Sequence, residues 1–526
     1  MSARLRSWAG LIILWLLALF TTLAVRTLIP VDETRYATVA WEMWQRGDFL
    51  VPHLNGQPYS HKPPLFFWLI HAGWWLTGVH EWVVRAIAPL LTLATLLATG
   101  RLARCLWPQD DATAAAAPWV LFSCVFLTAI FSWVQIDMLM VLCVVLAMTG
   151  LVTAARGALA GWLLTGAALG LGLLAKGPVV LVYVLPVALL LPFWSPGTGS
   201  PGWWRWSAGL ATSLMIAALI ALAWVLPAVQ AGGADYREAI LWGQTANRVV
   251  HSFAHAHPLW WYLPWLGVLF APWIYLPWLW AGVRQSRPAA DAGLRLCLVW
   301  IASTFILLSL VSGKQLKYLL PMLPAFALLV ARVLTRMDAR PVNARPWLLG
   351  ALLFCAGAAL AVLPYVLEWF EPVHPVWGVF IMAAAVVLVA LQPARPAQYP
   401  ALMTLLSVYV VSMIHLGVMR PAAPAYDLRA ASRLIATAQA AGRAVAVTNR
   451  YHGEFGFYGR LTQPVDLVTE DRLREWALQH PDGYLVMVDR DDPAGHVPPV
   501  FTQPYQNGRL AIVEGRVITA QPGMLP

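Results

Sequence analysis

Long apolar segments dominate this chain and leave few folds open to it. About thirteen of them reach the roughly 17–25 residues that a helix needs to cross a bilayer. Hydrophobic residues make up 60% of the 526 residues and charged residues only 11%, against about 25% charged in soluble domains. Since lipid cannot satisfy unpaired backbone groups, such segments cross a membrane as helices. The sequence therefore predicts an all-α polytopic membrane protein with spans near residues 8–25, 82–101, 115–133, 138–155, 159–175, 178–194, 206–228, 262–283, 294–312, 318–335, 347–364, 375–391 and 400–418.

The charged residues between these segments indicate two different faces. Arginine is concentrated in the connections assigned to one face, and the positive-inside rule makes that face cytoplasmic. The four lysines all fall on the opposite, outer face: Lys62, Lys176, Lys314 and Lys317. The positive-inside rule does not explain the four outer-face lysines, whereas an anion-binding site would. The alternative is that they share this face by chance. The net charge of +10 thus follows from membrane orientation and indicates no nucleic-acid partner.

A change of composition near residue 420 divides the chain into two predicted domains. Residues 1–419 form a transmembrane catalytic domain with outer-face loops at 26–81, the first catalytic loop, and at 229–262. Residues 420–526 are polar and are expected to form a small soluble α/β domain in the periplasm. Its predicted elements are a helix over Asp427–Ala441 capped by Asp427, strands at Ala444–Thr448 and Tyr484–Val488, and a hairpin turning at Asn507-Gly508.

Three acidic residues on the outer face are candidates for catalysis. Asp32 and Glu33 follow the first span directly and begin an amphipathic helical pattern, Glu33–Arg46. An acid close to lipid is costly unless it is paired or functional, and such a pair can accept a proton from an acceptor hydroxyl. The alternative is a helix cap. Asp137 is the only carboxylate between Ala112 and Ala234, so it needs either a basic partner or a local capping role.

The outer-face lysines and histidines are candidates for ligand binding. A lysine ammonium makes a charge-assisted contact to phosphate and stabilises charge that develops on a phosphate leaving group. Snorkelling to the interface is the alternative reading of each lysine. His61, His255 and His257 are predicted on the same face. Imidazoles at close spacing bind zinc, although solvated loop histidines would give the same pattern.

Several motifs resemble those of a known family. The segments DETRYA (Asp32–Ala37) and GDFLVPHLNGQPYSHKPPLFFWL (Gly47–Leu69) resemble the first outer loop of bacterial protein-mannosyltransferase-like enzymes, which include the lipid A aminoarabinose transferases. The likeness continues, in matching order, through Gln135–Leu139, Leu174–Pro178, His255–Trp265 and Ser312–Leu329.

The resemblance implies the GT-C membrane glycosyltransferase fold, a polyprenyl-phosphate sugar donor and a periplasmic site. It implies that Asp32 is the catalytic acidic residue, Asp137 a second acidic site residue, and Lys62 the contact to the donor phosphate. It also implies that His255 is a zinc ligand. This chain has His61 where the aminoarabinose transferases have a glutamate associated with the metal, which puts the metal and the sugar specificity in question.

Taken together, these features predict an inverting glycosyltransferase of the bacterial inner membrane. The sugar, such as 4-amino-4-deoxy-L-arabinose, would move from a polyprenyl phosphate to a cell-envelope acceptor such as lipid A. No cofactor is required, because the donor arrives activated on its lipid. The histidines indicate one candidate ion, the divalent metal zinc. Three alternatives stay open: a protein or polysaccharide acceptor, a lipid-linked sugar transporter or flippase, and a membrane anchor for the tail. Transporters usually place ionisable residues within their spans, and these spans contain almost none.

Overall fold

The computed structural model describes residues 3–195, 202–240, 256–337, 346–391, 395–489 and 498–520. Its contacts divide the chain into two compact units. The membrane unit comprises Met1–Ala24, His61–Phe66 and Ala86–Val418. The loop–tail unit comprises Val25–Ser60, Phe67–Arg85 and Met419–Pro526. The predicted domain boundary differs from this division, because residues 26–81 were expected to belong to the domain of residues 1–419.

Helices account for most of the described residues, as the apolar composition predicts. In chain order they are α1 Ala3–Val25, α2 Asp32–Arg46, α3 Leu65–Thr77, α4 Glu81–Leu106, α5 Asp111–Ser123, α6 Val125–Ile130, α7 Asp137–Ala155, α8 Leu159–Lys176, α9 Val179–Leu189, α10 Leu191–Trp194, α11 Trp203–Ala231, α12 Gly233–Glu238, α13 Tyr262–Leu269, α14 Pro277–Gln285, α15 Ala292–Leu310, α16 Leu323–Met337, α17 Trp347–Val362, α18 Val376–Ala390, α19 Tyr399–Ile414, α20 Arg420–Ala422, α21 Arg429–Ala440, α22 Gly456–Gly459, α23 Leu473–Gln479 and α24 Gly515–Ala520.

Nine helical stretches among the described residues are long and apolar enough to cross a membrane. They match nine of the thirteen predicted spans. The other four predicted spans contain shorter or broken helices: near 115–133 the helix is interrupted at Cys124, and near 262–283 it is interrupted between Leu269 and Pro277. Pro272 lies in that second break and Pro277 begins α14, and proline cannot donate a backbone hydrogen bond. The count of thirteen spans stays a prediction.

The α7–α8 hairpin sets the geometry of the membrane unit where its charged residues meet. The two helices are joined by only three residues, so they pack antiparallel. Gly161 permits their close approach, because a Cβ there would lie 2.2 Å from the backbone nitrogen of Ala154. As a result the first residue of α7, Asp137, and the last residue of α8, Lys176, lie at the same end of the hairpin.

A polar cluster joins four helix ends elsewhere in the membrane unit. Asp110 accepts a hydrogen bond from the backbone of Thr113 at 2.9 Å and caps α5, and Asp291 caps α15 in the same way. Arg332 of α16 pairs with both carboxylates, and Trp107 donates to Asp291 at 2.9 Å. Because this ion-pair network satisfies its own charges, we interpret it as structural.

The loop–tail unit contains a hairpin, β1 His53–Leu54 with β2 Gln57–Pro58, and a five-stranded sheet. The sheet strands are β3 Val445–Thr448, β4 Asp466–Val468, β5 Tyr484–Asp489, β6 Phe501–Tyr505 and β7 Gly508–Glu514, in the order β4-β3-β5-β7-β6. β3 is parallel to β4 and β5, and β7 is antiparallel to β5 and β6.

Alternating side chains of β3 place one core on each face of this sheet. Val445 and Val447 pack with Ile435 of α21, whereas Ala446 packs with Trp476 of α23. This is the alternation expected of strands buried on both faces. The predicted strands and the hairpin are confirmed, but the two turn residues are Gln506 and Asn507, since Tyr505 pairs with Gly508. The predicted cap is displaced by one residue, since Leu428 precedes α21 and the Asp427 carboxylate accepts from the backbone of Arg429.

The helix α2 packs against the tail through its polar side chains. Thr38 donates to the carbonyl of Gly453 at 2.6 Å and accepts from the backbone of Phe457 at 2.9 Å. The indole of Trp41 donates to the carbonyl of Leu461 at 2.9 Å. The approach is close, because a Cβ at Gly456 would lie 2.4 Å from Cγ2 of Thr38. The residues after the first span therefore fold as one body with the C-terminal sheet.

Candidate functional site

A buried lysine–carboxylate pair is the centre of the candidate site in the membrane unit. Nζ of Lys176 lies 2.6 Å from Oδ1 of Asp137. The side chains are 13% and 9% exposed, so water screens their attraction only weakly. Of the two roles predicted for Asp137, pairing with a basic residue or local capping, the structure shows the first. The partner, Lys176, comes from the other helix of the α7–α8 hairpin.

Two more of the predicted lysines are gathered at the same carboxylate. After Lys176, the largest electrostatic attractions on Asp137 come from Lys317 and then Lys62. The ammonium of Lys176 also lies 4.6 Å from the ring centre of Tyr318, a cation–π distance. Three lysines that are far apart in sequence thus converge on one acidic residue, which is the arrangement expected of a site for a phosphate group.

The fourth lysine, Lys314, has different surroundings. It is almost fully buried, and its ammonium donates to the backbone carbonyls of Val311 and, at 3.1 Å, His257. The backbone nitrogen of His257 in turn donates to Ser312 at 3.1 Å, and Ala256 pairs with Gly313. These bonds join the segment that precedes α13 to the segment that follows α15.

The residues predicted to bind zinc do not form a ligand set in the described part of the chain. His255 lies outside the described residues. His61 is exposed, and the ring of His257 stacks on Trp261 with a centre distance of 4.5 Å. Zinc sites take three or four ligands from histidine, cysteine, aspartate or glutamate, and no group of three such residues is found among the residues described. The zinc hypothesis therefore has no support there.

Asp32 lies in the loop–tail unit, at the first residue of α2. Its carboxylate forms an ion pair with Arg35, one turn further along the helix. The Asp32 side chain is 43% exposed, whereas the Arg35 side chain is 20% exposed. The residue before α2 is Val31, and no side chain caps this helix. Asp32 is therefore partly accessible and paired with Arg35, a geometry compatible with a proton-accepting or orienting role.

Glu33 has the opposite environment. It is 3% exposed, its Oε2 atom lies 2.6 Å from Arg26, and the same oxygen accepts from the backbone of Ile29 at 2.8 Å. The backbone nitrogen of Glu33 donates back to the carbonyl of Ile29 at 3.2 Å. This reciprocal pair fixes the turn that leads into α2. Glu33 thus stabilises the backbone turn next to Asp32, and its own catalytic role stays a prediction.

The structure also assembles residues that the sequence analysis did not select. Arg35 was detectable, because a basic residue three positions after Asp32 meets it on a helix. Tyr318 and Glu454 were not, since both contacts depend on tertiary folding. Glu454 is a buried carboxyl of the tail at 8% exposure. Burial raises its pKa, and the backbone nitrogen of His452, which donates at 2.7 Å, and the charge of Arg35 oppose that effect.

Comparisons with known proteins agree with this architecture. The family model for dolichyl-phosphate-mannose-protein mannosyltransferase matches residues 61–229. An undecaprenyl phosphate-alpha-4-amino-4-deoxy-L-arabinose arabinosyl transferase from Edwardsiella ictaluri is 30% identical over 387 residues, covering 71% of this chain and 68% of the relative. Its counterpart from Pectobacterium carotovorum subsp. carotovorum is 30% identical over 419 residues, covering 74% and 72%.

Solved structures share the fold over nearly the whole chain. The crystal structure of ArnT from Cupriavidus metallidurans bound to undecaprenyl phosphate superposes with a TM-score of 0.78 at 18% identity, covering 97% of each chain. The apo structure of the same protein gives 0.79 at 19% identity, covering 99% of this chain and 100% of that one.

The apolar helices, the small C-terminal sheet and these matches define a multi-pass membrane glycosyltransferase of the GT-C fold. Such an enzyme belongs in the bacterial inner membrane, as the sequence predicted. Within that class, the chain belongs to the undecaprenyl phosphate-alpha-4-amino-4-deoxy-L-arabinose arabinosyl transferase family.

Proposed function

We propose that this enzyme transfers 4-amino-4-deoxy-L-arabinose from undecaprenyl phosphate to lipid A on the periplasmic side of the inner membrane. The donor is the one named in the family relatives. Support from the geometry comes from one observation above all: Lys176, Lys317 and Lys62 all act on the buried carboxylate of Asp137. Cations at such a site stabilise the charge that develops on a phosphate as it leaves a sugar.

In the proposed reaction an acceptor oxygen attacks the anomeric carbon of the sugar and inverts it. The bond from that carbon to the phosphate oxygen breaks, and undecaprenyl phosphate leaves with the electron pair. The three lysines neutralise the leaving phosphate, while Asp137 holds Lys176 in place. Asp32 orients the acceptor and accepts the proton where the acceptor oxygen carries one.

Two of the predicted site residues receive positioning roles in this proposal. Glu33 keeps the turn before α2 in place through Arg26 and Ile29. Lys314 keeps the segment at His257 against Val311. No step is assigned to a metal, because the described residues offer no ligand set for one.

The test is to incubate the purified full-length enzyme with undecaprenyl phosphate-aminoarabinose and lipid A, and to examine the lipid by mass spectrometry. We expect aminoarabinose-modified lipid A from the wild type and none from Asp32→Asn, although that variant should still bind undecaprenyl phosphate. Unmodified lipid A with the wild-type enzyme would rule out this substrate pair. Unchanged turnover in Asp32→Asn would rule out the role of Asp32.

The lysine cluster is tested separately by donor binding. Lys62→Met and Lys317→Met should weaken binding of undecaprenyl phosphate about tenfold or more, since a charge-assisted contact contributes roughly 1.5–3 kcal/mol. Arg205→Met is the matched control, because Arg205 is an exposed cation at the start of α11. Equal affinities in the three variants would contradict the phosphate site.

A protein acceptor is the second candidate. The mannosyltransferase family model that matches residues 61–229 is named for transfer to protein. Adding envelope proteins to the same reaction and examining both fractions by mass spectrometry distinguishes the two acceptors.

A further inference from the structure

One segment of the tail, residues 453–465, makes hydrogen bonds to four separate parts of the loop that follows the first span. These parts are the turn before α2, the helix α2 itself, the β1–β2 hairpin and the connection from α3 to α4. Each bond joins residues at least 381 positions apart in sequence. The bonds, at distances from 2.6 to 3.0 Å, join Leu28 to Tyr458, Thr38 to Gly453, Trp41 to Leu461, Asn55 to Val465 and Val79 to Arg460.

This tail segment has a defined position on the loop. The side chain of Asn55 donates to the carbonyl of Val465 at 2.9 Å and accepts from the backbone nitrogen of the same residue at 2.8 Å. The ring of Trp74 stacks on the ring of Phe457, with the centres 5.7 Å apart. Reciprocal bonds and stacked rings fix orientation as well as distance. Tyr458 lies between these two contacts in sequence, so its side chain is directed by both.

The hydroxyl of Tyr458 is the contact from the tail to the turn that precedes Asp32. It accepts a hydrogen bond from the backbone nitrogen of Leu28 at 2.9 Å. Leu28 is fully buried, and a buried amide that loses its acceptor is costly. The next amide along the turn, that of Ile29, donates to the carboxylate of Glu33. Two consecutive amides of the turn are therefore held, one by the tail and one by the residue that follows Asp32.

We propose that Tyr458 is a positioning residue for transfer, which fixes the turn of residues 26–31 and thereby the place of Asp32 at the start of α2. A proton acceptor must lie within hydrogen-bond reach of the group it serves, and a misplacement of about 1 Å reduces a rate about a hundredfold. The tail is thus part of the catalytic architecture. This inference rests on the proposed function for the role of Asp32 in transfer.

Hydrogen exchange tests the contact without turnover. It is followed by mass spectrometry on peptides of the full-length enzyme that cover residues 26–31. Tyr458→Phe removes only the hydroxyl, so the amide of Leu28 should exchange about tenfold faster, the size expected for one lost hydrogen bond. Tyr484→Phe is the matched control, because its hydroxyl accepts from Arg443 within the tail, and it should leave this exchange unchanged. Equal exchange in the wild type and Tyr458→Phe would overturn the proposal.

Kinetics distinguish positioning from a general loss of structure. Tyr458→Phe should lower kcat of aminoarabinose transfer about tenfold. The donor KM and the affinity for undecaprenyl phosphate should stay unchanged, because the lysine cluster belongs to the membrane unit. Tyr484→Phe should keep the kcat of the wild type. A wild-type kcat in Tyr458→Phe, or a fall in kcat matched by an equal fall in undecaprenyl phosphate affinity, would contradict the positioning role.

A second pair of variants tests the same segment from α2. Thr38→Val removes the hydroxyl that bonds to Gly453 and Phe457, whereas Thr38→Ser retains it. We expect Thr38→Val to lower kcat and to speed exchange at residues 26–31, as Tyr458→Phe does, and Thr38→Ser to restore both. Equal losses in the two Thr38 variants would show that the hydroxyl is not what holds the segment.

The outcomes separate this inference from the substrate proposal. If the wild type transfers aminoarabinose to lipid A and Tyr458→Phe has the same kcat, the role of Tyr458 fails alone. If the wild type transfers none, the substrate pair fails, and faster exchange at Leu28 in Tyr458→Phe still supports the role of Tyr458 in fixing the turn.

Discussion

Removing one member of the Asp137–Lys176 pair should destabilise the membrane unit at least as much as removing both. Each side chain is mostly shielded from solvent, at 9% and 13% exposure. Asp137→Asn leaves a buried ammonium without its counter-charge, and Lys176→Met leaves a buried carboxylate. The double variant leaves neither charge, and the two residues that remain are close to the originals in volume.

The magnitude follows from the geometry. With the two atoms 2.6 Å apart, Coulomb's law at an effective dielectric constant of about 20 gives an attraction of roughly 6 kcal/mol. The cost of removing both charges from water offsets part of it, and loss of one partner of a buried pair costs roughly 3–5 kcal/mol. We therefore expect each single variant to lose about 3 kcal/mol of unfolding free energy, and the double variant to lose no more than either one.

The assay is equilibrium unfolding in mixed micelles, followed by tryptophan fluorescence, for the wild type, both single variants and the double variant. The four unfolding free energies give the coupling between the two residues, which we expect to be about 3 kcal/mol or larger. Losses that simply add, to within roughly 0.5 kcal/mol, would show that the two residues are not paired and would refute the reasoning.

Three further predictions concern packing, charge and pH. Gly456→Ala should lower the unfolding free energy by about 1–3 kcal/mol, because its Cβ would lie 2.4 Å from Cγ2 of Thr38. The control is Gly202→Ala, where a Cβ meets nothing within 4 Å. Equal melting temperatures of the two variants would contradict the contact. Asp291→Asn should cost roughly 1.5–3 kcal/mol, since it removes the carboxylate that pairs with Arg336 and one of the two that pair with Arg332; a melting temperature within error of the wild type would argue against the network. The pKa of Glu454 is raised above its ordinary 4.5 by burial, so its ionisation lowers the stability of the fold as the pH rises from 4.5 through the folded-state pKa. In Glu454→Gln the melting temperature should fall less over that pH range than in the wild type. Parallel curves of melting temperature against pH would exclude the effect.

The sequence predicted the elements of this fold better than their association. Each of the thirteen predicted spans contains a helix, because an apolar segment of that length must satisfy its backbone locally. Four of them are short or broken, and one break contains Pro272, whose effect on helix length depends on the surrounding packing. The tail strands and their hairpin were predictable from alternation and turn chemistry, although the turn lies one residue before Asn507-Gly508.

The candidate site was predictable in its residues and not in its pairings. The need of Asp137 for a cation was evident from its isolation in sequence, but Lys176 lies 39 residues away and meets it only because α7 and α8 fold back on each other. Asp32 and Glu33 are neighbours with the same charge, and sequence alone gave them the same role. The turn at Ile29 buries one carboxylate and leaves the other accessible.

The amino-acid sequence by itself determined the membrane-spanning character of this protein and the residue types that its chemistry needs. Crossing lipid is a local requirement that each segment meets alone, so composition decides it. Only the tertiary structure decided which charges are paired, because a buried ion pair depends on distances between segments that are remote along the chain. The hydrogen bond between Thr38 and Gly453, which are 415 residues apart in sequence, was fixed by the docking of a tail segment on α2.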